Sequence, residues 1–298
     1  YKSYSMELAG RTLTVDIGRV CAQANGAALM HYGDTTVLST CTASAQPRDG
    51  IDFFPLQVEY EEKMYAVGQF PGGFKKREGR ASDNAILTSR VIDRPMRPLF
   101  PKDFRNDVLL DNLVMSVDQD CSPELLAMLG SSLATAISNV PWDGPCASTQ
   151  VGMINGEFII NPTNAEKTVS DLNLTVASTR DKVIMIEAGA NCISDDQMIE
   201  AIYKADEINK QIISFFDSII AECGKEKTPY ESYAVPQALF DKIKSIVPEE
   251  EMEKAVFTDD KQQRDANMAE VTRKLEEALA DDEDALQQLP DAVYQYEK

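Results

Sequence analysis

The stretch between Ser122 and Val140 places the strongest constraint on how this chain can fold. Ser122-Pro123-Glu124 is a strong helix start, because a capping hydroxyl is followed by proline in the first turn and by an acid at the positive end of the helix dipole. From there to Val140 the residues are apolar or small on nearly every face of the helix. Such a helix has no polar face to turn to water, so we predict that it is buried.

Strand patterns lie on both sides of this helix in the sequence. Before it, we predict five strands, with Tyr32-Gly33-Asp34-Thr35 as a tight turn between two of them. After it, a hairpin with Asn155-Gly156 at its turn and two further strands precede a long helix, which begins at a Ser194/Gln197 capping box and ends before Gly224. The predicted strands cover residues 12–15, 23–31, 36–42, 53–60, 108–117, 151–154, 158–160, 172–176 and 183–188. This mixture predicts an α+β fold.

The last part of the chain differs from the rest. Beyond a predicted linker at Thr228 to Tyr233 the strand patterns end, and apolar residues recur at helical spacing, as at Val271 and Leu275. We therefore predict two domains, residues 1–230 and a small all-α domain at residues 235–298. Residues 231–298 carry 18 acidic and 8 basic side chains, and the run from Asp281 to Asp284 is interpreted as a solvated helix face.

Composition narrows the classes of function. Apolar residues make up 43% of the 298, enough for a sizeable core, and no apolar run has the length of a membrane span. The six cysteines form no Cys-x-x-Cys pair and the single histidine, His31, has no ligand-type neighbour in sequence, which argues against a thiolate or imidazole metal site. Scattered thiols fit a reducing cytoplasm. The net charge of −20 argues against a general affinity for nucleic acids or anionic membranes.

One segment reverses this acidic balance. Residues 75–105 carry nine basic and four acidic side chains, first on a glycine-rich loop and then on a helix that Ser82 is predicted to cap and Pro95 and Pro98 to stop. An aromatic ring beside adjacent cations suits single-stranded RNA, because the ring can stack on a base while the cations meet phosphates. The candidate RNA-binding residues are Phe74, Lys75, Lys76, Arg77, Arg80, Arg90, Arg94 and Arg97.

Composition alone leaves a second interpretation of this basic segment open. The arginines could pair with Asp83, Asp93 and Asp103 as salt bridges on the surface or in a subunit interface. In that case the segment would serve assembly and would not contact RNA.

The same segment carries a resemblance to a known family. Residues 70–80, Phe-Pro-Gly-Gly-Phe-Lys-Lys-Arg-Glu-Gly-Arg, and residues 90–101, Arg-Val-Ile-Asp-Arg-Pro-Met-Arg-Pro-Leu-Phe-Pro, resemble the signature of the first RNase PH-like core of the bacterial polynucleotide phosphorylases. Residues 52–56 and 161–163 match as well. The resemblance implies a β-β-α-β-α core, similar to the second domain of ribosomal protein S5, over residues 1–230. It also implies that residues 235–298 are the helical domain that precedes a second core.

The resemblance further implies what such a chain does. Family members form a homotrimeric ring that degrades single-stranded RNA in the 3′-to-5′ direction, with phosphate and Mg²⁺, to release nucleoside diphosphates in mRNA degradation. A loop that reads Phe-Phe-Arg-Arg in many members narrows the channel entrance, and here the corresponding residues are Phe74, Lys75, Lys76 and Arg77. The implied partners are RNA, the second core and the other subunits of the ring, with degradosome-type partners left open. DNA and membranes are not expected, and the implied location is the cytoplasm.

The catalytic residues of the family's second core have no counterpart in this chain. That core holds phosphate at a Gly-Ser-Ser-Ser helix start, where this chain has Pro123 without an N–H and Glu124 with a negative charge. The metal-binding Asp-x5-Asp-x-Lys pattern falls on Lys167, Asn173 and Thr175, which do not supply two carboxylates for Mg²⁺. We therefore expect this chain to be the silent first half, with no catalytic residue, no bound metal and no activity of its own.

Two other arrangements of reactive side chains have simpler explanations. Ser131-Ser132 could suggest a nucleophile, but no histidine is near in sequence, and small residues for close helix packing explain them better. Asp195-Asp196 could suggest a pair of catalytic carboxylates, but their position directly after Ser194 favours a helix-dipole role. An autonomous nuclease is the least favoured of the functions considered.

Overall fold

A computed structural model describes all 298 residues of the chain, which form two units at residues 1–231 and 232–298. The first unit contains both sheets and the long apolar helix. The second unit contains only helices. Each unit is described separately below.

The larger sheet of the first unit has six strands in the order β1-β2-β3-β4-β6-β5. Neighbouring strands are antiparallel except for β5 and β6, which run parallel. The strands are β1 (Lys2–Leu8), β2 (Arg11–Ile17), β3 (Gly26–Tyr32), β4 (Thr35–Ala43), β5 (Leu56–Glu62) and β6 (Val108–Ser116). The turn between β3 and β4 is tight because Gly33 adopts a positive φ of 56°.

The smaller sheet has four antiparallel strands in the order β10-β9-β7-β8. They are β7 (Ala147–Ile154), β8 (Glu157–Ile160), β9 (Leu172–Ser178) and β10 (Val183–Ala190). On β9 the residues alternate, with Leu172, Leu174 and Val176 buried and Asn173 exposed. This alternation is the half-buried pattern that the sequence predicts.

Four helices complete the first unit: α1 (Asp83–Met96), α2 (Pro123–Ile137), α3 (Asn164–Val169) and α4 (Asp195–Cys223). The helix α2 packs against β3 and β4 of the larger sheet and against β7 of the smaller one. Every residue from Leu125 to Ile137 is buried. The buried helix and the α+β fold are therefore confirmed, and the physical reason is that α2 lies between two sheets and has no side exposed to water.

The small polar residues of α2 are packing residues. The hydroxyl of Ser131 donates to the side-chain oxygen of Asn112, at 2.8 Å, and the hydroxyl of Ser132 donates to the carbonyl oxygen of Cys146, at 2.5 Å. All four residues are buried. These hydroxyls satisfy the polar atoms of neighbouring strands, so the interpretation of Ser131-Ser132 as a nucleophile has no support in the structure.

The structure also contains features that the sequence patterns did not indicate. The strand β1 was missed because most of its residues are polar or exposed, so it shows no buried apolar face. The helix α3 was missed because it has only six residues, although Thr163 and Glu166 form a capping box at its start. Pro95 lies inside α1, which continues to Met96 before a short 3₁₀ turn that contains Pro98, so the helix ends between the two prolines that were predicted to stop it.

The segment before the boundary of the two units is held firmly on the first unit. The ammonium of Lys227 donates to the carbonyl oxygens of Thr135, Ala136 and Ser138 at the end of α2, at 2.8 to 3.1 Å. The hydroxyl of Tyr230 donates to Asp103 at 2.9 Å. The ammonium of Lys227 caps free carbonyl groups at the C-terminus of α2. The start of the predicted linker therefore lies on the first unit, where Thr228 also forms hydrogen bonds with Asn139.

This anchoring leads to a prediction for limited proteolysis with trypsin. We expect the first cleavages in the exposed, glycine-rich loop at Lys75, Lys76, Arg77 or Arg80, and slow cleavage at Lys227, whose ammonium is hydrogen-bonded to the end of α2. Mass spectrometry of the earliest fragments would identify the sites. Early cleavage after Lys227 would show that the contacts of this segment with α2 open readily in solution.

The second unit consists of four helices around a core of its own. They are α5 (Gln237–Ile246), α6 (Glu249–Val256), α7 (Lys261–Ala278) and α8 (Glu283–Glu297). The core includes Ile243, Met252, Leu275 and Leu289, all nearly inaccessible to solvent. No helix of the chain is both long and apolar enough to cross a membrane.

Candidate nucleic-acid interface

The aromatic tip of the basic loop is held by a turn. The backbone N–H of Lys76 donates to the carbonyl oxygen of Gly73 at 3.0 Å, and Lys76 adopts a positive φ of 50°. Phe74 lies in the middle of this turn and is fully exposed to solvent. A phenyl ring in that position loses no packing when a base stacks on it, so the turn presents it as a stacking surface.

The C-terminal side of the loop is anchored to the rest of the first unit. The carboxylate of Glu78 accepts a hydrogen bond from the backbone N–H of Met64 at 2.9 Å. The hydroxyl of Ser82 accepts from the backbone N–H of Ala85 at 3.1 Å and caps α1, as the sequence predicts. These contacts fix the C-terminal side of the loop, and this limits the entropy that this side would lose on binding.

The cations of the loop are free to bind an anion. Lys75, Arg77 and Arg80 are exposed and form no ion pair within the chain. The ammonium of Lys76 lies 5.4 Å from the centroid of the Phe70 ring. Arg77 and Arg80 also line a cavity of about 480 Å³ between the loop and the end of β5. Four cations without carboxylate partners on one short segment create a local positive field in an otherwise acidic chain.

The three arginines of the helical segment fall into two groups. Arg90 is exposed and has no ion-pair partner, whereas Arg97 forms two hydrogen bonds with Asp93, at 2.7 and 2.9 Å, and two more with the carbonyl oxygens of Phe54 and Leu56. Arg94 pairs with Glu187 on β10 at 3.1 Å. The three arginines line one groove of about 300 Å³ beside β5.

These contacts bear on the alternative in which the arginines of the basic segment form salt bridges with nearby carboxylates. Of the three carboxylates proposed as partners, Asp93 pairs with Arg97, and Arg94 has a partner that the sequence did not indicate. Arg97 holds α1 against the start of β5, so it has a structural role whatever else it contacts. The salt-bridge interpretation therefore applies to Arg94 and Arg97 and does not apply to the loop.

The start of α2 is unsuited to binding phosphate. Pro123 is the first residue of the helix and has no N–H to donate. Glu124 accepts a hydrogen bond of 2.5 Å from the hydroxyl of Ser122, which places its carboxylate at the positive end of the helix. Burial raises the pKa of the adjacent Cys121 thiol to about 11, so this thiol is neutral at physiological pH. An anion would meet a negative charge where the dipole would otherwise attract it.

The three positions that the sequence resemblance aligns with metal ligands offer no carboxylate. Lys167 lies on α3, and Asn173 and Thr175 lie on β9, on the face opposite Leu172 and Leu174. No group of three or more His, Cys, Asp or Glu side chains in the chain could hold a metal ion. A cation, an amide and a hydroxyl do not match the oxygen donors that Mg²⁺ requires.

Residues 9–141 match domain 1 of the 3′ exoribonuclease family, RNase PH, and residues 144–207 match domain 2 of the same family. The chain belongs to the 3′ exoribonuclease family. The two matches together cover β2 to β6 of the larger sheet with α1 and α2, then the smaller sheet with the start of α4. The RNase PH-like fold that the sequence resemblance implies is therefore confirmed.

Several curated proteins are similar over all or nearly all of the chain. The polyribonucleotide nucleotidyltransferase of Lachnoclostridium phytofermentans is 66% identical over 100% of the chain and 43% of its own length. The protein of the same name from Ruminiclostridium cellulolyticum is 52% identical over 100% of the chain and 42% of its own length. That of Staphylococcus aureus is 50% identical over 95% of the chain and 40% of its own length. This family member thus spans about two fifths of the length of the curated relatives that it matches.

A solved structure supports the fold independently. The crystal structure of rice (Oryza sativa) Rrp46 aligns with a TM-score of 0.56 and 15% identity, covering 70% of this chain and 94% of the rice chain. At that identity the likeness concerns the fold alone.

Sequence patterns located the basic loop of this family member but not the residue that anchors it. Glu78 was counted only as one of four acidic residues in the basic segment, yet it holds the loop to the backbone of Met64. A signal was present, because Glu78 is the only acidic residue between Lys63 and Ser82. A carboxylate in a cationic loop weakens the local positive field. Its presence there therefore suggests that it makes a structural contact.

Proposed function

We propose that the chain is the RNA-gripping, ring-forming part of a 3′-to-5′ phosphorolytic exoribonuclease, a polyribonucleotide nucleotidyltransferase that acts in mRNA degradation in the cytoplasm. The reaction of the complete enzyme is RNA plus phosphate giving a shorter RNA and a nucleoside diphosphate. The observation that carries this proposal is the loop at residues 72–80, which presents a fully exposed Phe74 beside cations without carboxylate partners.

The physical reason for the gripping role is the combination of the two kinds of contact. The exposed ring of Phe74 offers a π-face to any base, and Lys75, Lys76 and Arg77 offer charge to consecutive phosphates. A grip of this kind does not depend on base sequence, which suits an enzyme that moves along RNA. In a homotrimer, three copies of the loop would contact the same strand.

The catalytic chemistry belongs, in this proposal, to a second core of the longer protein. Mg²⁺ and phosphate would be bound there, because Lys167, Asn173 and Thr175 do not fit the metal and Glu124 at the start of α2 does not fit phosphate. The contribution of this chain is to hold the RNA and to form part of the ring. No step of the reaction is assigned to its own side chains.

We predict that the chain has no phosphorolytic activity on its own. Incubated with RNA, phosphate and Mg²⁺, the chain alone is expected to release no nucleoside diphosphate above background, because the groups that would bind phosphate and metal are replaced. Thin-layer chromatography of labelled RNA products measures this directly. Release that survives repurification and disappears on substitution of Asn173 or Thr175 would contradict the assignment of a silent half.

A pure assembly scaffold is the rival function, in which the basic segment is buried in a subunit interface and does not contact RNA. A filter-binding titration of single-stranded RNA against salt separates the two. The gripping proposal expects measurable binding whose logarithm falls steeply with log salt, by about 0.7 for each phosphate contact on a single strand. No saturable binding by the chain or by the assembled longer protein would favour the scaffold.

A further inference from the structure

A second aromatic ring of the basic loop has no role in the grip described so far. Phe70 lies four residues before Phe74, and 73% of its surface is exposed. It belongs to none of the three hydrophobic clusters of the chain, so packing does not explain why an aromatic residue occupies this position. A large exposed ring that contributes nothing to a core is typical of a binding surface.

The turn at the tip of the loop brings a cation to this ring. The hydrogen bond from the Lys76 N–H to the Gly73 carbonyl oxygen reverses the chain, so that the side chain of Lys76 returns toward Phe70. Its ammonium lies 5.4 Å from the Phe70 centroid, a cation–π distance. Phe70 and Lys76 therefore form a pair, and Phe74 is separate from it at the tip.

We infer that Phe70 is a second base-stacking surface of the loop and that Lys76 is the cation that meets the phosphate beside that base. This inference rests on the proposed RNA grip and extends it to a residue outside the Phe-Phe-Arg-Arg pattern. Where that pattern has its second ring, this chain has Lys75. Phe70 supplies a ring from the other side of the turn, so the loop presents two aromatic surfaces despite that replacement.

The paired arrangement explains how one ring can serve both contacts. A ring with an ammonium near one face still has its other face available for a base. The ammonium is held close to the ring but stays exposed, so a phosphate next to the stacked base can reach it. The loop would thus engage two bases, one on Phe74 and one on Phe70.

The inference can be tested with two probes, one that has bases and one that has none. A fluorescein-labelled oligoadenylate reports stacking together with charge, and inorganic polyphosphate of similar length reports charge alone. The variants are Phe70→Ala, Phe70→Tyr, Phe74→Ala and, as a matched control, Phe257→Ala. Phe257 is also a highly exposed phenylalanine, at 82%, but it lies in the second unit, away from the basic loop in the sequence.

We expect Phe70→Ala to weaken oligoadenylate binding about five- to hundredfold, the range for loss of one stacked base, and to leave polyphosphate binding unchanged. Phe70→Tyr keeps the π-face and is expected to bind like the parent. Phe257→Ala is expected to change neither affinity. The chain is used at its full 298 residues, and thermal unfolding of each variant is expected to match the parent, because Phe70 packs in no core.

The outcomes separate this inference from the proposed function. If Phe74→Ala weakens oligoadenylate binding and Phe70→Ala does not, Phe70 is not a stacking surface, while the RNA grip stands. An equal loss of polyphosphate and oligoadenylate affinity in Phe70→Ala would also overturn the inference, since the ring would then act only by positioning Lys76. If the parent binds no oligoadenylate, the proposed grip itself fails.

Discussion

Replacement of Gly26 by alanine is expected to lower the free energy of unfolding of the first unit by about 3 kcal/mol, the upper part of the range for overpacking a core. Gly26 is the first residue of β3, where this strand lies against α2. An added Cβ would collide with the backbone carbonyl oxygen of Ala134 and would lie 2.9 Å from the Cβ of Ser138. Neither neighbour is the end of a flexible side chain, so relief requires β3 and α2 to move apart.

Thermal unfolding measures this effect, and the midpoint is expected to fall by about 10 °C for a unit of this size. Gly189→Ala is the matched control, because an added Cβ at Gly189 meets no atom within 4 Å and the residue does not have a positive φ. It is expected to leave the midpoint unchanged or slightly raised. Equal midpoints for the parent and Gly26→Ala would mean that β3 and α2 are not packed as closely as the structure has them.

The close contact between Gly26 and α2 shows which parts of the fold the sequence could predict. The burial of α2 follows from residues within one helix, since no face between Leu125 and Ile137 is polar. The need for glycine at Gly26 depends on a helix more than a hundred residues away in sequence, so no local pattern indicates it. The strand β1 and the helix α3 were missed for local reasons, because β1 has no buried apolar face and α3 has only six residues.

The candidate site likewise has features that local sequence predicts and features that depend on the tertiary fold. Composition and the family resemblance predicted the loop and its cations, because charge, glycine content and an aromatic ring are all local features. The partner of Arg94, by contrast, is Glu187, 93 residues further along the chain. Pairing at that distance in sequence depends on the tertiary fold, and it separates arginines with a structural role from those that are free to bind an anion.

Loss of the ring and loss of a cation of the loop are expected to change RNA binding in different ways. Phe74→Ala removes a stacking surface but no charge, so RNA binding is expected to weaken by about 1–3 kcal/mol at every salt concentration, with the salt slope nearly unchanged. Arg77→Ala removes one phosphate contact, so the slope of log affinity against log salt is expected to flatten by about 0.7. Filter binding of single-stranded RNA over a range of salt concentrations gives both quantities.

A lysine in the other unit provides the control for charge. Lys261 is exposed and has no ion-pair partner, so Lys261→Ala changes the net charge as Arg77→Ala does but removes no cation from the loop. It is expected to leave the salt slope unchanged. The scaffold alternative expects a different pattern, in which the loop variants disturb assembly in sedimentation and leave the RNA affinity of each assembled ring unchanged. If Phe74→Ala and Arg77→Ala both bind RNA like the parent at low salt in an intact ring, this loop does not grip RNA.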